Sequence, residues 1–127
     1  MTGRRKAPSK ELSKATLERL VEAATVDAYG EAEQVTALFT MIEENLELPF
    51  VTKILGMDVT VEKIDLSRRN DVNVICRRGS ERQSIPILDL PLPSPQPSGW
   101  EWVEAYRHWM GGQGLDSREG SVFARAT

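Results

Sequence analysis

The first third of the chain arranges its apolar residues with the period of α-helices. These residues recur at spacings of three and four, which places them on one helix face; they are Leu17, Leu20, Val21 and Ala24, then Val35, Leu38, Phe39, Ile42 and Leu46. The pattern predicts a first helix from a cap at Ser9 to about Tyr29 and a second from Glu31 to about Glu47. Gly30, which lacks a Cβ, suits either the left-handed end of the first helix or the N-cap of the second.

The middle of the chain, residues 50–92, changes to a period of two, which is typical of strands with one buried face. The alternating positions are Val59 and Val61, then Val72, Val74 and Cys76, then Ile85, Ile87 and Asp89. Turn residues separate the runs at Asn70-Asp71 and Gly79-Ser80. Because closing a sheet protects its edges, we predict that four or five short antiparallel strands form a small SH3-like β-barrel.

The last part of the chain begins with a proline-rich stretch and continues into an aromatic segment. Alternate prolines favour an extended linker without ladder donors; they are Pro91, Pro93, Pro95 and Pro97. The spacing of the residues after Gly99 predicts a short helix that docks to bury its rings; they are Trp100, Trp102, Val103, Tyr106, Trp109 and Met110. We therefore predict one α+β domain, residues 9–112, between a flexible N-terminus, 1–8, and a disordered tail, 113–127.

Composition agrees with one ordinary globular domain, at 127 residues with 40% hydrophobic and 28% charged. No apolar run approaches the roughly 20 residues that span a bilayer. The basic residues near the N-terminus are not followed by the apolar segment of a secretory signal, so we expect a cytoplasmic protein with no membrane partner. Cys76 is the only cysteine, which excludes an internal disulfide and predicts a buried strand residue.

Charge is distributed unevenly along the chain. Between Leu20 and Thr52 there is no Lys or Arg, although the net charge of the whole chain is only −3. The carboxylates of this stretch are Glu22, Asp27, Glu31, Glu33, Glu43, Glu44 and Glu47. Like charges within a Debye length of about 8 Å repel one another, so a fold that gathers them favours a cation or a basic partner.

A helical wheel gives these carboxylates a predicted placement. Glu31 falls on the apolar stripe of the second helix, and Asp27, four residues earlier, can approach it across the helix junction. Glu43 falls at the border of the stripe. The remaining acids of the helix fall toward solvent; they are Glu33, Glu44 and Glu47.

Carboxylate oxygens suit calcium, which takes six to eight oxygen ligands. Asp27, Glu31 and Glu33 could supply several, and Asp89 or Glu104 could complete a site, although the chain contains no EF-hand loop. A carboxylate at a helix start can also simply accept backbone amides and complement the helix dipole. A protein-interaction module, with an acidic helical surface for a basic protein and no specific metal, is the alternative.

We expect the protein to belong to neither of two further functional classes, enzymes and nucleic-acid-binding proteins. His108 is the only histidine, and the sequence identifies no partners for a catalytic group, so we expect no enzyme. Several arginines lie near strand ends, where small barrels can bind nucleic acids; they are Arg68, Arg69, Arg77, Arg78 and Arg82. Phe50 is the only aromatic residue of the strand segment and acids are interspersed, so we expect a solvated surface and no nucleic-acid partner.

Several short segments together resemble one protein family. They are Val26-Asp27-Ala28-Tyr29-Gly30-Glu31-Ala32-Glu33-Gln34, Ile42-Glu43-Glu44-Asn45-Leu46, Leu48-Pro49-Phe50, Ile85-Pro86-Ile87-Leu88-Asp89-Leu90 and Trp102-Val103-Glu104-Ala105-Tyr106-Arg107-His108-Trp109. In this order and spacing they resemble the small bacterial calcium-binding proteins typified by the cyanobacterial protein that sequesters calcium during heterocyst differentiation. The resemblance extends over roughly residues 17–110.

The resemblance implies a helical part on a small β-barrel that binds calcium ions through clustered carboxylates, for buffering or signalling and without catalysis. By motif position, Asp27, Glu31 and Glu33 match the acidic motif before and within the second helix. Glu43 and Glu44 match the acidic pair near its end. These five residues are the predicted calcium ligands.

Overall fold

The computed structural model describes residues 12–91, 93 and 95–113. In chain order, this part contains α1 (Lys14–Ala24), α2 (Glu31–Asn45), β1 (Phe50–Ile54), β2 (Met57–Leu66), β3 (Val72–Arg78), β4 (Glu81–Pro86), a 3-10 turn (Ile87–Asp89) and α3 (Trp100–Gln113). The predicted α+β class is confirmed. The predicted flexible N-terminus and the tail beyond Gln113 lie outside the described residues. Of the helices described, none is long and apolar enough to cross a membrane.

α1 begins later than predicted within the described chain. Ser13 is its N-cap, because its side-chain oxygen accepts a hydrogen bond from the backbone N–H of Thr16 at 3.1 Å. The predicted cap, Ser9, lies outside the described residues.

α1 also ends earlier than predicted, at Ala24 rather than near Tyr29. Thr25 caps it, since both its backbone N–H and its hydroxyl donate to the carbonyl oxygen of Val21, at 2.9 and 2.7 Å. These bonds satisfy a carbonyl that the helix end would otherwise leave without a partner. The remaining residues before α2 are therefore a loop.

α2 begins at Glu31, as the sequence predicts, and Gly30 is its N-cap with φ of 91°. Glycine adopts this conformation without the Cβ clash that other residues meet. The helix ends at Asn45, slightly before the predicted end, where the backbone N–H of Leu46 donates to the Ile42 carbonyl.

The four described strands form one antiparallel sheet in the order β1-β2-β3-β4. The SH3-like barrel is not confirmed, because the sheet is not closed. β4 pairs with β3 only as far as Pro86, which has no N–H to donate to a ladder. The chain then enters the 3-10 turn at Ile87–Asp89 instead of continuing the predicted strand.

The core lies between one face of the sheet and the helices. Its buried side chains come from both layers: Val35, Leu38, Ile42 and Leu46; Val61, Ile64, Val72, Val74, Cys76, Ile87 and Leu90; Trp100, Trp102, Val103, Ala105, Tyr106 and Trp109. The predicted docking of the aromatic helix and the predicted burial of Cys76 are both confirmed.

Specific contacts fix α3 against the sheet and against α2. The rings of Phe50 and Trp100 pack edge to face with centroids 6.1 Å apart, and the Tyr106 hydroxyl accepts from the backbone N–H of Val72 at 3.4 Å. The Nε1–H of Trp109 donates to the side-chain oxygen of Gln34 at 2.9 Å. α3 therefore covers α2 from about its second turn onward.

Candidate metal centre at the helix junction

The loop between α1 and α2 is held by a capping interaction that involves Glu33. Its Oε1 accepts a hydrogen bond from the backbone N–H of Tyr29 at 2.9 Å. With Gly30 as N-cap, Glu33 is the third helical residue, the position from which an acidic side chain reaches back to free amides before the helix. The sequence allowed Glu31 to be the carboxylate that accepts a backbone amide at the start of α2. In the structure, Glu33 has this role.

Asp27 and Glu33 line the same open groove between the end of α1 and the first turns of α2. The cavity measures about 450 Å³ and is otherwise lined by small and apolar residues and one threonine: Ala24, Val26, Ala28, Ala32, Thr36 and Ala37. Both charged groups of the groove are therefore carboxylates. The small alanine side chains leave these two carboxylates accessible from solvent.

The structure corrects the predicted placement of Glu31. The wheel put this residue on the buried stripe, but it is exposed and does not line the groove. α3 packs on the apolar stripe only farther along α2, where the side chain of Trp109 donates a hydrogen bond to Gln34. The first turn of α2 lies before that contact, so its apolar-face position remains in solvent.

Glu43 and Glu44 lie at the other end of α2. Both are exposed, and the ten residues from Glu33 to Glu43 span about 15 Å along the helix at 1.5 Å per residue. The five predicted ligands therefore fall into two groups, which we call the junction group (Asp27, Glu31 and Glu33) and the C-terminal pair (Glu43 and Glu44). One ion cannot contact both.

The described residues contain no group of three or more His, Cys, Asp or Glu side chains that could hold a metal ion. The two acids suggested to complete a site are placed elsewhere. Asp89 is exposed in the 3-10 turn. Glu104 accepts from the Trp100 Nε1–H at 2.9 Å and from Arg107 at 3.2 Å. Additional calcium ligands at the groove would thus have to be backbone carbonyls and water.

The carboxylates of the sheet have a different environment from those of the helices. Glu62 accepts hydrogen bonds from both Arg77 and Arg82. The bond from Arg77 is the main reason that the pKa of Glu62 lies below its ordinary value of 4.5, and burial opposes the shift. The only aromatic side chain of the strand segment, Phe50, packs edge to face on Trp100.

The histidine and the cysteine occupy separate places. His108 Nε2 lies 3.7 Å from the carboxylate of Glu18 on α1. Burial raises the pKa of the Cys76 thiol above its usual 9.0, so the thiol is protonated near neutral pH and a poor nucleophile.

The sequence did not identify the groove that Asp27 and Glu33 share. Its signal is the spacing of Gly30 and Glu33, that is, an N-cap residue followed three positions later by an acid. That spacing predicts that Glu33 turns back toward the loop that contains Asp27. The wheel, which considers the helix alone, instead paired Asp27 with Glu31.

No protein-family model and no curated protein sequence matches this chain. Among solved structures, the chain is similar to the crystal structure of Anabaena CcbP, with a TM-score of 0.63 and 16% sequence identity. The match covers 81% of this chain and 95% of that chain. At this identity the likeness shows the fold.

Proposed function

We propose that the protein binds calcium ions reversibly through the junction group, with Asp27 and Glu33 as the principal ligands, and that it buffers or signals calcium rather than catalysing a reaction. The observation that carries the proposal is the groove that these two carboxylates share, within a stretch of chain that has no Lys or Arg. The fold likeness to CcbP, a calcium-binding protein, supports it.

The donor set fits calcium better than it fits other common metals. Carboxylate, carbonyl and water oxygens suit hard cations, whereas zinc and the softer metals prefer His and Cys. Two carboxylates supply at most four of the six to eight oxygens that calcium takes, so the loop carbonyls and water complete the shell. Few charged ligands on an exposed loop give weak and rapidly exchanging binding, in the range of about 10⁻⁵ to 10⁻³ M.

Calorimetric titration of the chelator-stripped protein tests the proposal, with calcium and magnesium titrated in parallel at physiological salt. We expect saturable calcium binding and a much weaker magnesium response, because magnesium demands octahedral geometry and gives up its water reluctantly. A protein that binds neither ion at millimolar concentration, or both equally, contradicts a calcium site.

A pair of double variants with equal loss of charge locates the site. Asp27→Asn with Glu33→Gln keeps the oxygen that caps Tyr29 but removes both groove charges, and we expect calcium affinity to fall at least about tenfold. Glu43→Gln with Glu44→Gln removes the same charge about 15 Å away along α2, and we expect a fall of less than about threefold through the long-range field. Equal losses would reject the junction as the site.

A basic protein partner is the second candidate function. It is favoured by two large apolar side chains exposed beside Asp27, since Val26 is 71% and Tyr29 is 77% exposed, and aromatic residues are enriched at protein interfaces. Under this alternative the acidic surface distinguishes calcium from magnesium hardly at all. The same parallel titration therefore separates the two candidates.

A further inference from the structure

A groove with an apolar floor crosses the sheet and is separate from the groove at the helix junction. Its cavity measures about 590 Å³, within the range of roughly 300 to 1,000 Å³ that is usual for small-molecule sites. Among the described residues, those that line it belong to the four strands and the first turn, so none of the helices closes it. Its apolar lining residues are Ile54, Leu55, Met57, Val59, Cys76 and Ile85.

The lining of this groove changes character from one hairpin to the other. Because Thr60 of β2 pairs with Arg77 of β3, the turn at residues 55–56 and the turn at 79–80 lie at the same end of the sheet. The lining from the first hairpin is entirely apolar, and its Leu55 is 92% and its Met57 is 43% exposed. The charged lining residues all come from the second hairpin: Arg77, Arg78, Glu81 and Arg82. The groove therefore has an apolar part and a charged part.

The charged part has an excess of positive charge, since three arginines and one glutamate line it. Arg77 and Arg82 each donate a hydrogen bond through Nε to Glu62, which does not line the groove. Counting this carboxylate still leaves the positive charges in excess by one. The charged part therefore favours a group with a single negative charge over a cation.

Arg78 is the arginine best placed to contact such a group. It lies two residues after Cys76 in β3, so the two side chains project from the same face of the sheet. Arg78 is exposed, and among the described residues it takes part in no ion pair. A guanidinium can bind a carboxylate through two parallel hydrogen bonds.

We propose that this groove binds a small amphiphilic carboxylate, that is, a molecule with one carboxylate group and an aliphatic chain. The carboxylate lies on Arg78, and the chain lies along the apolar part, where it removes Leu55 and Met57 from water. A single negative charge matches the excess of one positive charge. The site uses no residue of the junction group, so it is independent of the proposed calcium binding.

Calorimetric titration of the full chain with dodecanoate tests the proposal, in calcium-free buffer and below the concentration at which dodecanoate forms micelles. We expect saturable binding at one site per chain. Dodecyltrimethylammonium, which has the same aliphatic chain and a positive head group, should bind at least about tenfold more weakly. Acetate, which lacks the aliphatic chain, should show no saturable binding over the same range.

Variants of single exposed residues locate the two parts of the ligand. Arg78→Gln should lower dodecanoate affinity at least about tenfold, because it removes the charged hydrogen-bond donor. Met57→Gln should lower it at least about threefold without a change of charge. Lys63→Gln is the matched control, since Lys63 is also an exposed cation of the sheet but does not line the groove. It should change the affinity less than about twofold.

Three results would overturn the proposal. The first is the absence of saturable dodecanoate binding, and the second is equally tight binding of dodecyltrimethylammonium, which would show an apolar surface without preference for an anion. The third is an Arg78→Gln variant that binds dodecanoate as tightly as the wild type, or no more weakly than Lys63→Gln.

Discussion

The helix junction and the sheet–α3 interface differ in almost every property that governs stability. α1 contains no buried residue, and the loop that follows it exposes Val26 and Tyr29. α3, in contrast, buries Trp100, Trp102 and Tyr106 among its residues. The helix junction presents charged side chains to solvent, whereas the sheet–α3 interface buries large apolar side chains.

Under the proposed calcium-binding function, this difference gives the two regions separate roles. Hydrophobic burial stabilises roughly in proportion to the apolar area removed from water, so the sheet, α3 and the buried face of α2 supply most of the free energy of folding. A site that releases an ion rapidly needs accessible ligands, which the junction has. Substitutions in the two regions should therefore separate stability from ion binding.

The largest effect is expected for Trp100→Ala. This side chain is only 1% exposed, packs edge-on against Phe50 and donates to Glu104, so its loss should lower the free energy of unfolding by about 3 to 5 kcal/mol. Leu20→Ala, at a half-buried position of α1, is the counterpart and should cost only about 1 kcal/mol. Urea denaturation measures both; equal costs would contradict the division between the two regions.

A smaller effect is expected where the linker approaches α2. A Cβ added at Gly99, whose φ is 88°, would lie 2.1 Å from the backbone oxygen of Asn45. Gly99→Ala should therefore combine left-handed strain of about 1 to 2 kcal/mol with a backbone shift of about 1 to 3 kcal/mol. Gly79 has a φ of 61°, and a Cβ added there would have no neighbouring atom within 4 Å. Gly79→Ala therefore measures the left-handed backbone strain alone.

The difference in urea midpoint between these two alanine variants measures how tightly the linker is held against the end of α2. A hydrogen bond also joins these segments. The backbone N–H of Glu47 donates to the backbone carbonyl oxygen of Ser98 at 2.8 Å. If both variants lose the same stability, the approach of Gly99 to Asn45 is not a constraint on folding.

The sequence predicted the elements well where a period persists. The spacing of three and four defined α2 to within two residues, and the aromatic spacing after Gly99 identified α3 and its burial. The alternation of Val72, Val74 and Cys76 identified β3 and its buried face. Each of these patterns depends only on residues close together in sequence. A regular period indicates that one side of the helix or strand is buried.

The elements that pack on a buried face can be distant in sequence, and the predicted barrel is not confirmed for that reason. Alternation in the strands shows that one face is buried but does not distinguish a closed sheet from an open sheet under helices. Glu31 was misplaced in the same way. The wheel assumes that the stripe of α2 is covered along its whole length, whereas the contact of Trp109 with Gln34 shows where the cover begins.

The smallest effect on stability is expected at single carboxylates, where Glu62 of the sheet is compared with a carboxylate of α2. Glu62 lies between two arginines that keep its pKa below 4.5, so its ionised form is favoured in the folded state. The stability it contributes is present above the unfolded-state value and is lost as pH falls through the lower folded-state value. Glu62→Gln should therefore lower the melting temperature slightly near neutral pH and have no effect in strong acid.

Glu44→Gln is the counterpart among the helical acids and should change stability in the opposite direction. Glu44 lies in the last turn of α2, which contains no basic residue, and a negative charge there opposes the helix dipole. Removing it should leave the melting temperature unchanged or raise it slightly. Melting curves of both variants at neutral and acid pH provide the comparison. If both variants lower the melting temperature near neutral pH, the carboxylates of α2 are paired as those of the sheet are, and the distinction between the two regions does not extend to charge.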